Sequence, residues 1–129
     1  MSNKWKGTFE TTIAGKEYTL RPSFDALCEF DEACGVSPQE ARTQLLEGNF
    51  GPKVLPCALW AGIRGEYLIN GGENVKSFRV LGEMMRKEGM FNFQLEALKF
   101  LTYALSADDI IESIESQETK DEDEDEKKT

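Results

Sequence analysis

The sequence predicts a mainly α, α+β fold: a small single-domain helical bundle with an N-terminal β-hairpin. Three observations predict it. Residues 5–13 alternate apolar and polar with period two, and a second short alternating run follows a glycine turn. From Ser23 onward the apolar residues recur at helical spacing. Caps and breakers stand where helices should start and stop: Ser23, the Ser37-Pro38-Gln39-Glu40 capping box, and the glycines 35, 48 and 89.

In WKGTFETTI, Trp5, Phe9 and Ile13 point one way, and Lys6, Thr8, Glu10 and Thr12 the other. Ala14-Gly15-Lys16 is a turn, and residues 17–21 form a second strand carrying Tyr18 and Leu20. An isolated hairpin is marginal in water, so this one must pack on the helices.

Pro22 ends the strand, and Ser23 caps a helix running to Cys34, with Phe24, Leu27, Cys28 and Phe30 on its apolar arc. Asp25, Glu29 and Glu32 form an acidic stripe at i, i+4 and i+7, read as a solvated face. The capping box opens a second helix, closed by Gly48. A third is predicted over 53–64, with Leu55, Leu59, Trp60 and Ile63 inward. Gly71-Gly72 marks a loop. A fourth helix runs from Val75 or Ser77 to Lys87. Asn92 is expected to cap a fifth, bearing Phe93, Leu95, Leu98, Phe100, Leu101 and Leu105. A last helix starts at Ser106-Ala107-Asp108-Asp109, whose acidic first turn suits the helix dipole, with Ile110, Ile111 and Ile114 as its stripe.

The predicted organisation is one folded domain over 1–116, with the hairpin in 5–21 and helices in 23–116. A disordered acidic tail over 117–129 has no apolar residue to offset its ordering entropy. The expected core includes Phe9, Leu20, Phe24, Leu27, Leu59, Trp60, Leu98 and Leu101.

Composition narrows the function. The 129 residues carry a formal net charge of −9, which disfavours phosphate-backbone binding and adhesion to an anionic membrane. No apolar run approaches a membrane span, and no signal-peptide core opens the chain, so a soluble, cytoplasmic protein is expected. There is no histidine, which removes the commonest general base and the commonest transition-metal ligand. Cys28, Cys34 and Cys57 form no CxxC motif and read as buried free thiols. Neither a nucleophile elbow nor a phosphate or dinucleotide loop is present. No catalytic, metal or cofactor residue is nominated, and an enzyme is not expected. The one candidate binding cluster is Met84, Met85, Met90, Phe91 and Phe93, where methionine's adaptability suits an apolar helical client or a second copy of the chain. Ordinary core packing around a helix–helix joint is the alternative.

A family resemblance rests on the hairpin followed by GKEYTLRPSFDALCEFDEACG, the VSPQEA box and LWAGIRG. Its residues here are Gly15, Lys16, Tyr18, Leu20, Phe24, Leu27, Glu29 or Asp31, Gly35, Leu59, Trp60, Ala61 and Gly65. In this order the sequence resembles the phage tail assembly chaperones, a family with a member in gene transfer agents that is also labelled a tail tube component. The resemblance spans roughly residues 5–105, and its motifs are structural rather than catalytic. The acidic tail lies outside the shared pattern. What the resemblance implies is a cytoplasmic helper, in the host cell if phage-encoded, that binds and solubilises the tape measure protein during tail morphogenesis. Contact with the tail tube protein and self-association are further implied partners. It also implies a programmed frameshift near the end of a short product, for which Glu126-Lys127-Lys128 offers a codon run. The rival readings are a tail tube subunit, which needs a larger β-sheet, and an acidic mimic of nucleic acid, which needs carboxylates arrayed over the folded surface.

Overall fold

The structure is a computed structural model that describes residues 5–117. Two strands, β1 (Phe9–Ile13) and β2 (Lys16–Leu20), are followed by α1 (Phe24–Cys34), α2 (Pro38–Glu47), α3 (Val54–Asn70) and α4 (Phe78–Glu88). A 3-10 turn (Met90–Phe93) then leads into α5 (Gln94–Ala104). A further helix, α6, covers 108–117. The fold is thus α+β, a hairpin followed by helices. Residues 7–105 form one compact unit; residues 106–117, with 5 and 6, belong to a second. The acidic tail expected over 117–129 lies, except for Gln117, outside the described residues.

The hairpin is antiparallel, with Phe9 opposite Leu20 and Ile13 opposite Lys16. Ala14 and Gly15 both have positive φ, 55° and 76°. That is the primed turn whose twist matches the strands. Phe9, Thr11, Ile13, Tyr18 and Leu20 are buried, while Glu10, Thr12 and Glu17 face outward. The alternation is as the sequence implies, but the regular strand starts at Phe9 rather than Trp5.

The hairpin docks on α3 through missing side chains. A Cβ on Gly62 would stand 2.8 Å from the Leu20 side chain, and one on Gly65 2.4 Å from the Arg21 carbonyl oxygen. The contact is sealed by the Arg21 N–H, which donates to the Gly62 carbonyl at 2.9 Å, and by Arg21 Nε paired with Glu66 at 2.9 Å. This contact also explains why α3 runs past Arg64, the predicted end, to Asn70. Gly65 is a point of close approach inside the helix, not a stop. Pro56, third residue of α3, sits where the helical N–H groups have no partner to lose.

α3 is the central element, packed against β2, α1, α4 and α5. Loop 71–77 returns along it: Trp60 Nε1 donates to the Val75 carbonyl at 3.1 Å, and Arg64 Nη1 to Asn74 Oδ1 at 3.1 Å. Trp60 is therefore half-buried under the loop rather than deep in the core. α4 then lies antiparallel to α3, Trp60 meeting Phe78 edge-on at 6.4 Å and Gly82 facing Pro56.

Both predicted serine caps form: Ser23 Oγ accepts the Ala26 N–H and Ser37 Oγ the Glu40 N–H. The phase of α1 differs from expectation. It buries Ala26, Phe30 and Cys34, leaving Phe24 77% exposed, Cys28 exposed and Leu27 half-buried. The reason lies in α3, whose Gly65 surface accepts the small Ala26 methyl, with 3.0 Å to a built Cβ. That choice rotates the first turn and turns Phe24 outward. On α1, Glu29 reaches Arg64 at 3.1 Å, so the acidic stripe is solvated only at Asp25 and Glu32.

In α5 the buried residues are Ala97, Phe100, Leu101 and Tyr103. Leu98 is half-buried, and Leu95 and Leu105 are exposed. Asn92 does not cap α5. Its Nδ2 donates back to the Glu88 carbonyl at 2.8 Å and so closes α4. In α6, Ile111 is buried, Ile114 half-buried and Ile110 exposed, and Ser113 Oγ donates to the Asp109 carbonyl.

Candidate functional site

The predicted cluster of Met84, Met85, Met90, Phe91 and Phe93 divides between core and surface. Met85 is wholly buried on the inner face of α4, and Phe93 is 3% exposed beneath the 3-10 turn. These two are packing residues and leave the accessible set. Met84 and Met90 are half-buried. Phe91 is 78% exposed. The division follows from geometry: in a 3-10 turn successive side chains are about 120° apart, so Phe91 and Phe93 cannot share a face.

Phe91 has neighbours outside the predicted cluster. Phe50, from the loop after α2, meets its ring edge-on at 6.5 Å. The loop is held there because α2 and α5 run antiparallel, joined by Gln94 Nε2 to the Leu45 carbonyl at 3.4 Å and by Arg42 Nε to Thr102 Oγ1 at 2.9 Å. Next to this junction Leu46 and Leu95 project into solvent, Leu95 73% exposed. Leu46, Phe50, Met90, Phe91 and Leu95 thus place apolar surface around the end of α2 and the entry to α5. The available signal was Leu95 itself, which falls out of phase with Ala97, Phe100 and Leu101.

A polar cleft of about 470 Å³ borders the same segment, lined by Glu10, Thr12 and Glu17 of the hairpin and Glu88, Asn92 and Glu96 beyond it. Glu10 and Glu17 lie diagonally on the outward hairpin face, because Glu10 pairs with Thr19 and Thr12 with Glu17. Glu88 accepts the Ala14 N–H at the hairpin turn. Glu96 Oε2 is sealed from solvent and takes no hydrogen bond from the described residues. Burial, and then the neighbouring Glu17 carboxyl, raise the Glu10 pKa above its ordinary value. The basic side chains nearby are engaged. Lys16 pairs with Glu73 at 2.7 Å, Arg21 with Glu66, and the Lys99 ammonium stands over the Phe9 and Tyr103 rings.

The thiols offer less chemistry. All three are free. Cys34 and Cys57 are buried as expected, but Cys28 is exposed by the rotated phase of α1. The Cys57 thiol hydrogen-bonds Cys34, which lowers the Cys34 pKa to about 7 and raises that of Cys57. With no histidine in the chain, the pair has no imidazole base to activate it.

Among the described residues no three His, Cys, Asp or Glu side chains converge as metal ligands, and no helix is long and apolar enough to cross a membrane. Compared with known protein families, curated proteins and solved structures, the chain matches none.

Proposed function

We propose that the chain is a non-catalytic tail assembly chaperone that binds and solubilises an apolar helical segment of a tape measure protein. The observation that carries this reading is the exposed aromatic and aliphatic face around Phe91. A Phe ring 78% exposed and a Leu side chain 73% exposed, beside Phe50 and Met90, present surface that a client helix covers favourably. The net charge of −9 supplies the other half of the task, since it keeps a loaded chaperone soluble. The sequence resemblance adds the identity of the client. A tail tube subunit is less well supported, because the described residues contain one two-stranded sheet and tube rings close through larger sheets.

The test is co-purification of the chain with a tape measure segment, comparing wild type with a Phe91→Ser, Leu95→Ser double variant. Each side chain contributes about 1.5–3 kcal/mol when buried by a partner, so the variant should bind at least about a hundredfold more weakly. Its thermal unfolding should stay near that of wild type, because neither residue is in the core. A collapse of the melt would make these side chains packing residues and end the proposal, as would unchanged binding.

A further inference from the structure

We propose, building on the client-binding reading of this face, that its partner is a basic amphipathic helix, whose apolar side chains cover Phe91 and Leu95 while a flanking lysine or arginine enters the cleft between the hairpin and α5. The stretch 91–96 serves both surfaces. Phe91 and Leu95 project to solvent, while Asn92 and Glu96 line the cleft. One helix crossing this stretch therefore meets an apolar strip and a carboxylate wall together.

Charge complementarity selects the occupant. Four carboxylates, Glu10, Glu17, Glu88 and Glu96, share the cleft lining, with no lysine or arginine among the described residues there. The adjacent basic groups are committed to Glu73, Glu66 and the Phe9 and Tyr103 rings. Carboxylates that line one cleft favour a cation there. Burial and, after it, the neighbouring Glu17 carboxyl raise the Glu10 pKa. An acidic helix would add a fifth negative charge, and a nucleic acid would bring phosphates to the same wall. A bare metal ion is a poorer fit, since no three of these groups converge at ligand geometry. A flexible cationic side chain needs no such convergence.

The experiment uses the full chain and two synthetic amphipathic helices with the same leucine face, one flanked by lysines and the other by glutamates. Binding is read by fluorescence anisotropy over a salt series. The lysine peptide should bind at least about tenfold more tightly than the glutamate peptide, with affinity falling as salt rises. A Glu10→Gln, Glu17→Gln variant, whose altered side chains point outward, should lose about three- to tenfold for the lysine peptide and show a flatter salt dependence. The salt series on wild type gives the same information if that variant folds poorly. Equal affinity for both peptides, with loss of both in Phe91→Ser, would overturn the basic-client inference and leave the apolar docking face standing. Lysine-peptide binding that ignores Phe91→Ser but fails in the glutamine variant would remove the docking face, and the inference built on it. Binding of neither peptide would overturn both.

Discussion

Gly65→Ala is the sharpest test of how the hairpin is held. On an isolated helix the change would stabilise by about 1 kcal/mol, because alanine is the better helix former. Here the new Cβ would stand 2.4 Å from the Arg21 carbonyl oxygen and 3.0 Å from the Ala26 methyl. The oxygen belongs to backbone and cannot swing aside as a side chain tip would. The hairpin end must retreat, or α3 must bend. Retreat weakens the Arg21 N–H bond to the Gly62 carbonyl, worth about 0.5–1.5 kcal/mol. It also uncovers part of Leu20, which is fully buried and whose complete exposure would cost about 1.5–3 kcal/mol. Forced overpacking typically costs about 1–3 kcal/mol. After the propensity gain, a net loss of about 2 kcal/mol follows, or roughly 6–10 °C in melting temperature for a chain of this size. Thermal and urea unfolding of wild type and variant measure it. An unchanged or higher melting temperature would mean that the hairpin does not lie against Gly65, and the account of why α3 extends past Arg64 would fail with it.

Three further outcomes follow from particular side chains. Phe24→Ser should change stability by less than about 0.5 kcal/mol, whereas Phe30→Ala, one helix turn and a half later, should cost about 3–5 kcal/mol; chemical denaturation of the two would reveal a wrong phase of α1 if the order reversed. In the native protein one thiol, Cys28, should react rapidly with an alkylating reagent, and Cys34 and Cys57 only on unfolding, as mass spectrometry of a labelling time course can count. For Glu10 the folded state holds its proton more tightly than the unfolded chain does. This group's contribution to stability therefore declines as pH rises from its ordinary 4.5 through the raised folded value. Glu10→Gln should melt slightly higher than wild type at neutral pH, and the difference should vanish below about pH 4, where both states are protonated; an advantage that persisted there would point to a cause other than charge.

Much of the fold was legible because it is written in local chemistry. The alternation of residues 9–20, the serine caps at 23 and 37 and the stop at Gly89 each depend on a few neighbouring residues, and each stands where the sequence put it. The misplacements share one cause. Gly65 reads locally as a helix end, Phe24 as a core anchor and Asn92 as an N-cap, and each is overridden by a partner distant in sequence or by the joint on which it sits. Gly65 is set by Arg21, Phe24 by the fit of Ala26 on α3, and Asn92 by the unsatisfied carbonyl of Glu88. An apolar residue in a helical pattern shows that some face is buried, not which angle the neighbouring helix will accept.

The candidate site was legible to a lesser degree for the same reason. The density of methionine and phenylalanine between 84 and 93 marked the right segment, since flexible and aromatic side chains beside a glycine joint are unusual on a plain surface. It could not separate Met85 and Phe93, which fill the core, from Phe91, because that depends on the 3-10 turn between two helices. Nor could it bring in Phe50 and Leu95, which the antiparallel pairing of α2 with α5 supplies, or the four carboxylates from two ends of the chain that wall the adjacent cleft. The consequence for function is physical. An apolar strip alone would bind its own copies as readily as a client. Set beside a wall of like charges, such a strip would repel an acidic copy of this chain and favour a basic segment, so on the proposed reading the chain's acidity also selects its client.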